Sequence, residues 1–243
     1  MNKNLYILFF LLFALHSGIA QAEKYRKKLK DYSEKLVRIT VPSDEKSVHH
    51  FSYTEKVKSW DQASSQAPVK NNVSIYVKND KFYFYSSQVD LFRDKEDSFI
   101  IIHKDKKIFH TNSVSQEETA KKQMESFLKF QNVVFEKGKI LEYQELIIKG
   151  KKMARLMIAT PEEIRKELKV RHTVYWYDIQ GEKIWKSKIY YSKDYSLKTK
   201  EIIYQEVDLD YGAKLKKPVF KKVLDKKGNL TEEYRNYQLI DNK

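Results

Sequence analysis

Apolar residues recur over residues 24–40 at a 4-3-4-3 spacing, as Tyr25, Leu29, Tyr32, Leu36 and Ile39. That spacing places them on one face of an amphipathic helix with Lys and Arg around the rest, and Pro42 ends it. From Val48 the period shortens to two. Phe51, Tyr53 and Val57 are separated by polar residues, residues 73–77 alternate cleanly, and Asn79-Asp80 turns the chain into 82–85. Residues 88–92 continue extended, 99–102 are apolar on both faces, and 104–107 turn into 108–110.

A helical insert is predicted next. Ser115-Gln116-Glu117-Glu118 fits a capping box, after which Ala120, Met124, Phe127 and Leu128 share one helical face up to about residue 130. Strands resume at 140–148 and 153–159 around a turn near Gly150. Thr160-Pro161-Glu162-Glu163 starts a short helix, with Thr160 as cap and Pro161 in the first helical position. Strands are then expected at 170–177, 184–191 and 197–207, followed by a last hairpin pairing 219–224 with 230–239. Short turns between strands point to one antiparallel sheet, because βαβ crossovers need a helix between strands. Several strands carry bulky apolar residues on both faces, as in Tyr175-Trp176-Tyr177 and Ile202-Ile203-Tyr204. Both sheet faces must therefore be at least partly covered.

The N-terminus has another pattern. Lys3 precedes an unbroken apolar run over 5–15, and Ala20-Gln21-Ala22 offers the small residues of a signal-peptidase site. Eleven apolar residues extend about 16 Å as a helix, half a bilayer core, so residues 1–22 read as a cleaved secretory signal peptide rather than an anchor. The mature chain is expected to start at Glu23, to be periplasmic, and to form a single domain over 23–243.

Composition narrows the chemistry. The chain has 243 residues, no cysteine, and 47 Lys+Arg against 33 Asp+Glu, a formal charge of +14. The missing cysteine excludes disulfide scaffolds, Cys-ligated zinc, a Cys nucleophile and a lipidated N-terminal Cys. Lys and acid are interspersed along the chain, which describes a solvated basic surface; Lys outnumbers the Arg that nucleic-acid readers favour, so no nucleic acid is expected. His103 and His110 flank a hairpin, whereas adjacent His49 and His50 point to opposite sides of a strand. None of these makes a metal site, and no metal or cofactor is expected. There is no G-x-S-x-G, H-E-x-x-H, P-loop or G-x-G-x-x-G, and no residue is nominated as catalytic. The chain reads as a binding protein, not an enzyme.

The strand-turn-strand segments 73–84 and 189–197, together with the order of signal, amphipathic helix, strands, helical insert and strands, resemble the periplasmic lipoprotein-carrier superfamily, the LolA/LolB-like half-barrels. The resemblance covers most of residues 24–243. It implies an α+β fold in which a strongly curved antiparallel sheet wraps two or three helices that act as a lid over a cavity for acyl chains. The function it implies is binding of lipid or acylated cargo, with a role in lipoprotein localisation. The alternative is an envelope protein-interaction or sensing module without lipid cargo. Transient contact with an anionic membrane surface or with envelope proteins goes with either. Ligand cavities are lined by apolar and aromatic side chains. Met124, Phe127 and Leu128 are the expected lid contacts, and Phe82, Phe84, Phe99, Ile101, Trp176 and Ile203 the expected wall. Alternation alone does not choose the strand face.

Overall fold

The amphipathic spacing at the N-terminus becomes one long helix, α1 (Lys3–Arg38), on which Tyr25, Leu29, Tyr32 and Ser33 are buried. The computed structural model describes residues 3–38, 48–63, 65–78, 81–113, 131–211 and 218–242, with side chains along α1 from 18 to 36. The strands are β1 (His49–Ser59), β2 (Val69–Lys78), β3 (Lys81–Tyr85), β4 (Val89–Arg93), β5 (Asp97–Ile102) and β6 (Lys107–Asn112). They continue as β7 (Ile140–Ile148), β8 (Lys151–Ala159), β9 (Val170–Asp178), β10 (Lys183–Tyr191), β11 (Leu197–Asp208) and β12 (Gln238–Asp241). Residues 131–137 form α2. Two short helices follow, α3 (Glu162–Leu168) and α4 (Phe220–Val223), with a 3-10 turn at Glu232–Tyr234. The chain is α+β and its strands are largely antiparallel, as expected.

It packs as two compact units. Unit 1 comprises Met1–Glu34, Lys58–Gln66 and Lys129–Glu201; unit 2 comprises Lys35–Val57, Ala67–Leu128 and Ile202–Lys243. In unit 1 the ladder runs β10-β9-β8-β7, and in unit 2 it runs β12-β6-β5-β4-β3-β2-β1, with β11 divided between them after Glu201.

Unit 1 is built on α1. Tyr25 stacks on Tyr143 of β7 at 5.9 Å and lies 6.0 Å from Tyr177 of β9. Phe135 of α2 meets Tyr175 at 5.2 Å. Beneath them Ala154, Leu156 and Ile158 of β8 are fully buried. Polar ties frame this core: Lys28 to Glu182 at 2.7 Å and Lys30 to Glu136 at 2.6 Å. Gly138 closes α2, and a Cβ there would fall against Val134 O, Ile158 and Ala159 O, so α2 lies tightly on β8 only because this residue has no side chain.

Unit 2 packs α4 and the 3-10 turn onto one face of β3 to β6. Phe92, Phe99, Ile101 and Ile108 are fully buried there against Val219, Val223, Leu224 and Tyr234. Asp94 holds the strap in place: its Oδ1 accepts from the Asp97 amide at 3.0 Å and its Oδ2 from the Val219 amide at 2.8 Å.

Three expectations are corrected. Residues 219–224 and 230–239 do not pair as a hairpin; they share one isolated bridge, Leu224 with Leu230. Instead α4 forms, with Val219, Val223 and Leu224 buried against the sheet. β12 runs parallel to β6, so the sheet is not wholly antiparallel, and the expected strongly curved half-barrel narrows to a largely antiparallel α+β ladder. Pro161, not Thr160, is the N-cap of α3, and the buried Thr160 hydroxyl makes no hydrogen bond. The predicted insert over 115–130 lies outside the described residues.

Candidate binding face

Directly paired residues in neighbouring strands project to the same side of a sheet, so the register sorts unit 2 into two faces. One cross-strand row is His50–Tyr76–Tyr83–Phe92–Phe99–His110. It carries the buried core under α4. The row one residue along, on the opposite face, is Phe51–Ile75–Phe84–Leu91–Ile100–Phe109, continued by Ile240 of β12. Seven strands wide at about 4.8 Å per strand, it forms an apolar band of about 29 Å. Each of its members is half-buried, so the band is neither core nor free surface.

The flanks of the band are graded. Val73 and Val77 beside it are buried. Toward one side lie Phe82 and Arg93, directly paired, with the guanidinium 5.9 Å from the ring. Tyr53, which follows Phe51 on the same face at 5.3 Å, has its phenol pushed up to about 12, by burial first and then by Glu55 and Tyr204. A phenol held neutral by desolvation belongs to an apolar environment.

Three histidines of unit 2 sit among polar partners on the covered face. Buried His110 has Nε2 2.8 Å from Asp97 Oδ1 and Nδ1 3.1 Å from Asp241 Oδ1, with its ring stacked on Phe99 at 4.2 Å. His103 lies 3.2 Å from Asp90 and 3.0 Å from the Tyr237 hydroxyl. His50 Nε2 lies 2.9 Å from Ser74 Oγ, and its Nδ1 lies 3.2 Å from Glu206. These three residue types suit nucleophilic catalysis, but the geometry does not. His50 Nδ1 forms no hydrogen bond, and its ring is clamped between Tyr76 and Tyr211 at 4.4 and 4.7 Å. Ser74 sits inside a strand paired on both sides, where ladder bonding occupies the amides an oxyanion hole would need.

The structure scatters the residues nominated from sequence. Phe84 lies in the apolar band and Phe82 beside it on the same face. Phe99 and Ile101 are fully buried under α4 on the opposite face. Ile203 precedes Tyr204, whose ring is 6.0 Å from Phe51, and so points away from the band. Trp176 belongs to unit 1, where Lys186 Nζ is 4.0 Å from its ring centroid and Arg155 5.9 Å. Met124, Phe127 and Leu128 lie outside the described residues. Sequence reasoning did not nominate Phe51, Ile75, Leu91, Ile100 or Phe109. Their signal was the strand alternation itself, read on the other parity.

No helix among the described residues is long and apolar enough to cross a membrane. No known family model matches the chain, and no curated protein matches it. Among solved structures it is similar to the lipoprotein LppX of Mycobacterium tuberculosis, at 12% identity over 79% of this chain and 99% of that one, with a TM-score of 0.40. It is similar to an outer-membrane lipoprotein-sorting protein domain of Vibrio parahaemolyticus at 10% identity, covering 78% and 95%, with a TM-score of 0.33. A LolA superfamily protein of Nitrosomonas europaea matches at 9% identity over 85% and 98%, with a TM-score of 0.29. Overlaps this distant carry no argument about residues or ligands, and the functional reading rests on the chain's own geometry.

Proposed function

We propose that this chain is an exported envelope protein that binds lipid or acylated cargo along the Phe51–Ile75–Phe84–Leu91–Ile100–Phe109 band of unit 2. The observation that carries the reading is the band itself: a row of half-buried aromatic and aliphatic side chains across seven strands, on the face opposite a complete core. A unit that only needed to fold has its core on the α4 side. A second apolar face is what a hydrophobic ligand needs. Phe82 extends the wall. Arg93, at the edge of the band, suits an acidic headgroup.

The energetics fit a binder that must also release. Each buried methylene contributes about 0.8 kcal/mol, so about ten of them give tight binding unless opening a cover offsets part of it. The experiment is extraction and mass spectrometry of lipids from the chain purified natively out of an envelope fraction. Acyl lipid should accompany the wild type and be depleted in Ile100→Glu. A wild type free of lipid contradicts the reading.

A further inference from the structure

β7 ends the unit 1 ladder, and among the described strands it pairs only with β8. An edge strand offers unpaired N–H and C=O groups, and proteins blunt it with outward charge, proline or a bulge. β7 has a bulge at Leu141, where the register shifts between Ile140 and Glu142. Its charges do not guard the edge. Glu142 is drawn to Arg155, and Glu145 to Lys152 at 3.2 Å and to the Tyr143 hydroxyl at 2.7 Å. β7 exposes Glu142, Gln144 and Glu145, and beside them two large apolar side chains, Leu141 at 51% and Ile147 at 76%, two of the five such side chains exposed among the described residues.

We propose that this edge pairs with the same edge of a second copy, β7 against β7, antiparallel about a two-fold axis at Gln144. In that register Gln144 faces Gln144 of the partner subunit and Tyr143 faces Glu145 of the partner subunit. Glu142 then faces Leu146 of the partner subunit, and Ile147 faces Leu141 of the partner subunit. Exposed apolar residues meet each other and no acid faces an acid. A shift of one residue sets Glu142 against Glu145 of the partner subunit; the opposite shift sets Ile147 against Glu142 of the partner subunit. Like charges directly opposite disfavour the first, and the second takes Ile147, the most exposed apolar residue of β7, off its apolar partner; only the register about Gln144 pairs the two exposed apolar side chains with each other. The pairing is isologous and closes, so it stops at two copies. Lys139 and Lys149 of the two copies meet just beyond the strand ends, both exposed, so added salt tightens the dimer by screening them. A nine-residue edge is small for an interface, and the dimer depends on concentration.

The chain has no cysteine of its own, which makes a single introduced one a clean reporter. Directly opposed residues place their Cα atoms about 4.5–5.5 Å apart, within disulfide reach. Under mild oxidation Gln144→Cys should link to itself far faster than Lys226→Cys, another exposed position. By light scattering the wild type should approach the mass of two chains as concentration rises, more readily at higher salt. Ile147→Lys should stay monomeric with an unchanged circular dichroism spectrum. A wild type that is monomeric at every concentration overturns the proposal. So does Gln144→Cys linking no faster than Lys226→Cys, and so does an Ile147→Lys chain that dimerises like the wild type.

Discussion

Unit 1 and unit 2 solve the same problem with different second faces. Each buries one sheet face under helix: α1 and α2 over β7 to β9 in the first, α4 and the 3-10 turn over β3 to β6 in the second. On the opposite face of unit 1, direct pairing sets Arg155, Trp176 and Lys186 in one row. Lys186 lies over Trp176 and Trp185 at 4.0 and 5.3 Å and near Glu201 at 3.7 Å, so cations seal the rings from above. The opposite face of unit 2 sets Phe51, Ile75, Phe84, Leu91, Ile100 and Phe109 in the corresponding kind of row. The lesson is that aromatic content does not mark a ligand face. A ring already covered by its own cation is finished; a row of rings and aliphatics without that cover is not.

Substitutions on the two faces of unit 2 separate core from binding face most sharply. Phe92→Ala, at a fully buried site, should cost about 3–5 kcal/mol in urea unfolding. Phe84→Ala, half-buried on the band, should cost far less while changing ligand binding. Equal costs would mean that both faces are core. Next in size is the buried pair under α4. The His110 and Asp97 side chains are only 4% and 6% exposed, so Asp97→Ala should cost about 3 kcal/mol by leaving the imidazole without its closest carboxylate. Asp241→Asn, at the half-exposed partner, should cost much less.

How much of this was legible in the sequence depends on whether one face of an element is polar. Residues 24–38 of α1 were legible because charged residues, mostly Lys and Arg, surround the face that Tyr25, Leu29 and Tyr32 fill. Strand positions were legible for the same reason of period, and β7 and β8 fall where alternation put them. The choice of binding face was not. In Phe82-Tyr83-Phe84 every side chain is aromatic, and Tyr83 is drawn into the core by α4, more than 130 residues later in the chain. That contact has no local signature. Nor has β12, which pairs in parallel with β6 although Val219 to Leu239 reads locally as a hairpin.

The smallest effect concerns unit 1 and acid. Burial works to raise the Asp178 carboxyl, but the Gly181 amide at 2.9 Å and Lys151 at 3.5 Å outweigh it and hold the group below its ordinary 3.8. A depressed carboxyl contributes stability that is present above the unfolded value and is lost as pH falls through the folded one. Unfolding midpoints should therefore fall more steeply below pH 3.8 in wild type than in Asp178→Asn. Parallel curves would remove the charged turn from the account of unit 1.

The central claim, that the band of unit 2 takes acyl chains, is tested most directly by titrating an environment-sensitive fatty-acyl probe into delipidated protein. Three chains should be compared: wild type, Phe84→Glu on the band, and Lys186→Ala on the cation-covered face of unit 1. The expected result is saturable binding to wild type and Lys186→Ala, with loss in Phe84→Glu at unchanged circular dichroism. Saturable binding that survives Phe84→Glu, or no binding to the wild type, would contradict the claim.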